Sequence, residues 1–230
     1  MDTFFIKNII ALCWFVFCWG GFSYYSHIKE ENSLAGQIQF FRERWGKQLL
    51  HRVSSRFTDV GILNHHQQIG LFFASTSMII IAGLITLLGA EEDVLSYLKK
   101  IPSGAATHQY WYLKVQTLLI IFIFSFFKYT WAIRHWNYAA ILVGATKEDP
   151  AKAVKHDKEL SQQFSYIGKI AARHFTQGLR SYYYGLAALS WFINYWVFML
   201  ITSWITLVLY RREFHSKILH ALLNDDDDED

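Results

Sequence analysis

Residues 69–90 read IGLFFASTSMIIIAGLITLLGA and carry no charge. A helix needs about 20 predominantly apolar residues to cover the roughly 30 Å hydrocarbon core of a bilayer. Three other stretches meet that length: 8–25, 110–133 and 182–210. The first of these is uncharged. The second holds Lys114 and Lys128 around an uncharged stretch at 115–127, and both side chains can snorkel toward opposite interfaces. Lipid offers no hydrogen bonds to a bare backbone, so such runs are helices or closed-barrel strands. Barrel strands alternate apolar and polar residues over about ten positions, and these runs do not. The expected fold is therefore all-α: an integral membrane bundle of four transmembrane helices with amphipathic cytoplasmic helices. It occupies 1–224 as a single domain.

Composition agrees. Charged residues are 18% of the chain, below the roughly 25% of soluble domains, and hydrophobic residues are 53%. The 9 Trp and 13 Tyr suit a membrane–water interface. A net charge of +3 is too small to argue for nucleic acid. Cys13 and Cys18 sit five apart on one expected helix and point to different faces, which disfavours a local disulfide. The N-terminal apolar run lacks an A-x-A site and reads as an uncleaved span.

Lys and Arg set the expected orientation. The loops after the first and third spans hold most of them, from Lys29 to Arg56 and from Arg134 to Arg180. Lys7, Lys99, Lys100, Lys114, Arg211, Arg212 and Lys217 fall on the other side of a four-span chain. The basic loops are thus expected in the cytoplasm of a cell with the protein in its inner (plasma) membrane, and both termini outside. Arg211 and Arg212 run against this assignment.

Leu34, Ile38, Phe41, Trp45, Leu49, Val53 and Phe57 recur every three or four residues, predicting an amphipathic helix over 34–57. It suits either the headgroup layer or the surface of the bundle itself. A second, more charged helix is expected over 150–178, with Pro150 in its first turn. The acidic block at 225–230 reads as a disordered, solvated tail, with a metal or basic-partner contact as the alternative.

Nucleotide-binding, zinc-protease and serine-hydrolase motifs are absent from the sequence. The informative feature is a convergence of polar groups. In a four-span chain, three helix ends reach one face, carrying Asn64 to Gln68, then Arg134, His135, Asn137 and Tyr138, then Arg173, His174, Gln177 and Arg180. Arg134, Asn137 and Tyr138 share one helix face, and so do Arg173, Gln177, Arg180 and Tyr184. Three readings stay open. The groups fasten the helices by mutual hydrogen bonds. The arginines build an anion or lipid-headgroup site. Two of His65, His66, His135 and His174 hold a metal or haem. Adjacent His65 and His66 point about 100° apart, which is awkward for one metal centre. Two arginine stripes need an anion or a carboxylate between them, and Asp59 and Glu159 are the nearby candidates.

The segments 64–78 (NHHQQIGLFFASTSM), 127–145 (FKYTWAIRHWNYAAILVGA), 178–192 (GLRSYYYGLAALSWF) and 209–216 (LYRREFHS) resemble the family catalogued as domain of unknown function 599. The resemblance implies a four-span membrane protein and no assigned activity. Where that family typically has Gln-Thr-x-Arg-Asn before the second span, this chain has histidines and glutamines. Arg134, Asn137, Tyr138, Gly178, Arg180 and Tyr183 fall on matching positions. Together these readings favour a non-enzymatic scaffold or accessory subunit, whose partners are the bilayer and another membrane protein or a second copy. The alternative is a ligand-binding or transport protein using the cytoplasm-facing Arg/His/Asn groups. An enzyme acting on a lipid headgroup is third, because a paired acid and base is missing from the sequence pattern.

Overall fold

The computed structural model describes residues 3–49, 56–90, 108–145 and 156–224. The acidic tail, the loop at 91–100, Val53 and Pro150 lie outside the described residues. Among the described residues every regular element is helical. In chain order they are α1 (Thr3–Ile28), a 3-10 turn (Glu30–Asn32), α2 (Leu34–Leu49), α3 (Arg56–Gly89), α4 (His108–Ala145), α5 (His156–Leu189), a second 3-10 turn (Ser190–Phe192), α6 (Tyr195–Phe214) and α7 (Lys217–Asn224). Three of these helices contain segments long and apolar enough to cross a membrane: Ile6–Ile28, Phe57–Gly89 and Trp111–Ala145.

The expected single span over 182–210 is not one helix. Asn194 adopts extended backbone and its side chain accepts a hydrogen bond from the Trp196 amide, so it caps a new helix in the middle of the apolar run. The 3-10 turn before it completes the reversal. The expected cytoplasmic helix and the start of that span instead fuse into α5, which runs unbroken from His156 to Leu189. Of the first amphipathic helix, α2 covers Leu34–Leu49 and Phe57 belongs to α3, while 50–55 lie outside the described residues.

Side-chain contacts give the direction of each helix. Along α4 and α5 the ring pairs Trp111–Phe192, Phe122–Tyr182 and Tyr129–Phe175 run antiparallel, at 5.3–5.5 Å. Along α3 and α4, His66 meets Trp136 and Phe73 meets Tyr129, again antiparallel. By contrast α1 and α6 are parallel: Lys7 lies over Tyr195, Trp14 Nε1 donates to Ser203 Oγ, and Tyr25 packs on Tyr210. Lys7 and Phe214 therefore lie at opposite ends of the bundle, where a single fourth span would have put them at the same end.

The close packing of α4 on α5 is made possible by small residues on α5. Gly168, Ala171, Gly178 and Gly185 recur on one face, and α4 lies against it. A Cβ on Gly178 would come 2.9 Å from the Tyr129 ring, and one on Gly185 would come 3.0 Å from Phe122. This closeness lets Ser125 Oγ donate across to the Gly178 carbonyl at 3.1 Å, inside the core. Around it Phe15, Tyr184, Trp191 and Phe198 fill the space between α1, α5 and α6, and Trp191 Nε1 donates to Asn8 Oδ1.

At 1.5 Å per residue, the 38 residues of α4 span about 57 Å, well beyond a hydrocarbon core. The overhanging ends of α3, α4 and α5 build a second core around Leu63, Trp136, Val143 and Phe164. Here α2 packs onto α5, with Trp45 4.9 Å from Phe164 and Leu49 buried. Of the two roles open to this helix, packing on the bundle is the one observed for that face. Elsewhere the exterior is strongly apolar: Phe17, Ile79, Leu200 and Trp204 are 68–72% exposed. Cys13 is exposed and Cys18 buried, and neither forms a disulfide. The ammonium groups of Lys114 and Lys128 lie over aromatic rings, those of Trp191 and Phe192 and of Phe124 and Trp131 respectively.

Gly178→Ala is expected to lower stability by about 1–3 kcal/mol, because Tyr129 is locked among Phe73, Phe175 and Tyr182 and cannot move aside. Gly83→Ala, where a Cβ meets open space, should instead stabilise by about 0.5–1 kcal/mol. Thermal melts of the two variants in detergent check the opposite signs.

Candidate functional site

The end of α1, the 3-10 turn after it, α2, α5 and the last turn of α6 enclose a half-open cavity of about 270 Å³. Each element contributes by its own geometry. Ser33 caps α2, its Oγ accepting from the Gly36 amide, and this fixes the sharp turn that holds Glu30 beside α5. On α5, Lys169, Arg173, Gln177 and Arg180 fall at helical spacing on one face, away from the glycine stripe. The reversal at Asn194 sends α6 back alongside, so Arg212 and Glu213 arrive at the same level.

Arg173 Nη2 donates to Glu30 Oε2 at 2.6 Å, and Lys169 Nζ lies 3.7 Å from Glu30 Oε1. Deeper in, Arg180 is 9% exposed. Its Nη2 donates to Ser26 Oγ at 2.6 Å and lies 3.3 Å from Glu213 Oε2, while the guanidinium rests over the Phe22 ring. Arg212 Nη1 donates to the Tyr183 hydroxyl at 3.1 Å. Arg42 Nη1 donates to Gln39 Oε1, and burial pushes its guanidinium below the usual range, though arginine stays charged. The lining thus sets the cations Arg42, Lys169, Arg173, Arg180 and Arg212 against two carboxylates, Glu30 and Glu213. Positive charge is in excess. Leu34, Ile38, Phe175, Leu179 and Leu209 make the rest of the wall apolar.

Of the residues singled out in the sequence, Arg173, Gln177, Arg180 and Tyr183 come together here. Arg134, Asn137 and Tyr138 do not. They lie exposed on α4, where Arg134 Nε donates to the Tyr138 hydroxyl at 2.8 Å. The two arginine stripes therefore do not face one another. The four histidines divide into two pairs. His66 sits against Trp136 with Nδ1 2.8 Å from the Ile62 carbonyl, and His65 lies beside it. The His135 and His174 rings lie tilted beside one another with centroids 5.3 Å apart. Among the described residues, His, Cys, Asp and Glu form no group of three or more able to hold a metal ion.

The carboxylates beside Arg173 and Arg180 are Glu30 and Glu213. Asp59 accepts from Trp45 Nε1 at 2.7 Å, and Glu159 is exposed. Sequence spacing hid both partners, since Glu30 is 143 residues from Arg173 and Glu213 lay at the wrong end of an unbroken span. Asn194 was the available signal: a preferred N-cap residue inside an apolar run.

A family model matches residues 10–218, described as a protein of unknown function, DUF599. The chain belongs to the DUF599 family. Every residue lining the cavity falls inside the matched region. No curated protein and no solved structure matches the DUF599 chain. Its three long apolar helices are compatible with a multi-pass membrane protein.

Arg180→Ala should cost about 3–5 kcal/mol, since it leaves Glu213 buried without its cation. Arg134→Ala, at an exposed site, should stay within about 0.5 kcal/mol of the parent. Melting temperatures in one detergent compare the two.

Proposed function

We propose that this chain is a multi-pass membrane protein that binds an amphipathic anion, a lipid-type headgroup, in the cavity between α1, α2, α5 and α6. The excess of cations over carboxylates in a half-buried, partly apolar cavity is the observation that carries the reading. Arginine forks suit phosphate and carboxylate, and their mutual repulsion falls when an anion enters. The cavity adjoins Ile28, where the first apolar segment ends, so a headgroup reaches it while acyl chains stay in lipid. The scaffold or accessory role expected from the sequence rests on missing catalytic motifs, small size and aromatic-rich spans. The cavity is a positive feature, and it takes precedence.

We further propose five passes, formed by α1, α3, α4, the C-terminal half of α5, and α6. Support comes from the side-by-side contacts of these helices and the parallel course of α1 and α6. Five passes move Arg211, Arg212 and Lys217 to the same side as the other basic segments. The charge asymmetry then becomes consistent, with the cavity end cytoplasmic by the positive-inside rule in an inner membrane. Reporter tags at the two ends of the full-length chain should lie on opposite sides of the membrane. Tags on one side would restore an even number of passes.

Native mass spectrometry of gently extracted protein tests the ligand. The parent should carry an anionic phospholipid that the double variant Lys169→Ala/Arg173→Ala largely loses, while Arg134→Ala retains it. Equal retention in all three would sink the proposal.

A further inference from the structure

The cavity holds more than cations. Glu213 Oε1 and Gln177 Oε1 are buried acceptors to which no group among the described residues donates. Both residues line the cavity beside Arg180. Their needs differ from those of the rim. The other oxygen of Glu213 is already neutralised by Arg180, so Oε1 lacks a hydrogen bond and not a second positive charge. Buried acceptors without donors are costly, and a ligand that supplies hydroxyls removes that cost. Nearer α2, the lining of this cavity sets Arg42, Lys169 and Arg173 against Glu30, which leaves net positive charge for an anionic group.

Resting on the anion-binding reading above, we infer that the site selects a phosphodiester carrying free hydroxyls, of the glycerol-headgroup type. The phosphate meets Arg173, Lys169 and Arg42. The hydroxyls, on the second and third carbons beyond the ester oxygen, reach toward Gln177 and Glu213. Both acceptors are covered in the present conformation, so a turn of the Gln177 side chain presents its amide oxygen to the ligand. An ethanolamine headgroup fits less well. Its own ammonium cancels the phosphate and leaves the cation excess unmatched. A simple phosphate monoester or methyl ester satisfies the arginines and leaves both acceptors bare.

The test uses full-length protein in nanodiscs of neutral phosphatidylcholine doped with one lipid of matched acyl chains: phosphatidylglycerol, phosphatidylmethanol or phosphatidylethanolamine. Phosphatidylglycerol and phosphatidylmethanol share one negative charge and differ in the hydroxyls. Enrichment of bound lipid is read by mass spectrometry. Phosphatidylglycerol should be enriched about fivefold to tenfold over phosphatidylmethanol, as one or two hydrogen bonds provide. Gln177→Met should reduce that ratio toward one without weakening phosphatidylmethanol binding. Glu213→Gln, which keeps an acceptor, serves as a second variant and should retain part of the preference. Equal enrichment of the two anionic lipids would overturn the hydroxyl inference and leave the anion site standing. Enrichment of neither over phosphatidylethanolamine would overturn both. Competition by soluble glycerophosphoglycerol at millimolar concentration would identify a soluble source for the same chemistry, and no competition identifies the lipid.

Discussion

The close approach of α4 and α5 underlies the rest of the molecule. Without side chains at Gly178 and Gly185, the ring of Tyr129 and the ring of Phe122 fit directly against the α5 backbone. Dispersion and a buried Ser125–Gly178 hydrogen bond then hold the two helices together. With one face of α5 committed to α4, its other face is fixed in direction. That face carries Lys169, Arg173, Gln177 and Arg180, and everything that packs on it must cope with their charge.

Two acidic residues from distant parts of the chain do so in different ways. Glu30 arrives on a short 3-10 turn and bridges Lys169 and Arg173 at a partly open rim. Glu213 arrives on α6 and meets Arg180 in a nearly closed environment, with Ser26 and the Phe22 ring completing the shell. The rim pair is solvated enough to exchange partners with an incoming anion. The inner pair is structural, because breaking it strands a buried charge. A gradient from exchangeable to fixed electrostatics along one helix is what suits this cavity to the proposed anion and distinguishes it from a uniformly paired polar seam.

Much of this was legible in the residues. Uncharged runs located α1 and the membrane-length parts of α3 and α4, since the period and length of apolar sequence are local properties. The i, i+4, i+7 spacing is enough to put Arg173, Gln177 and Arg180 on one helix face. Spacing likewise grouped Arg134, Asn137 and Tyr138 correctly on α4 but said nothing about where that face points. It points outward, and Arg134 and Tyr138 satisfy one another locally. The reversal at Asn194 was harder to read, because the flanking residues are as apolar as those of a continuous span. Only the extended backbone and the bond to the Trp196 amide distinguish a cap from a polar residue inside a helix.

By itself the sequence determined that the chain is helical, that it carries membrane-length apolar segments, and which cations share a face of α5. These follow from local periodicity and from the cost of an unsatisfied backbone in lipid. Only the tertiary structure decided that the apolar stretch after Arg180 folds back on itself, which sets the two ends of the bundle apart and brings Glu213 to Arg180. Only it decided that Glu30 stands beside Arg173. Ion pairing depends on separation in space, and pairs so far apart in the chain are set by how helices pack, which no local pattern encodes.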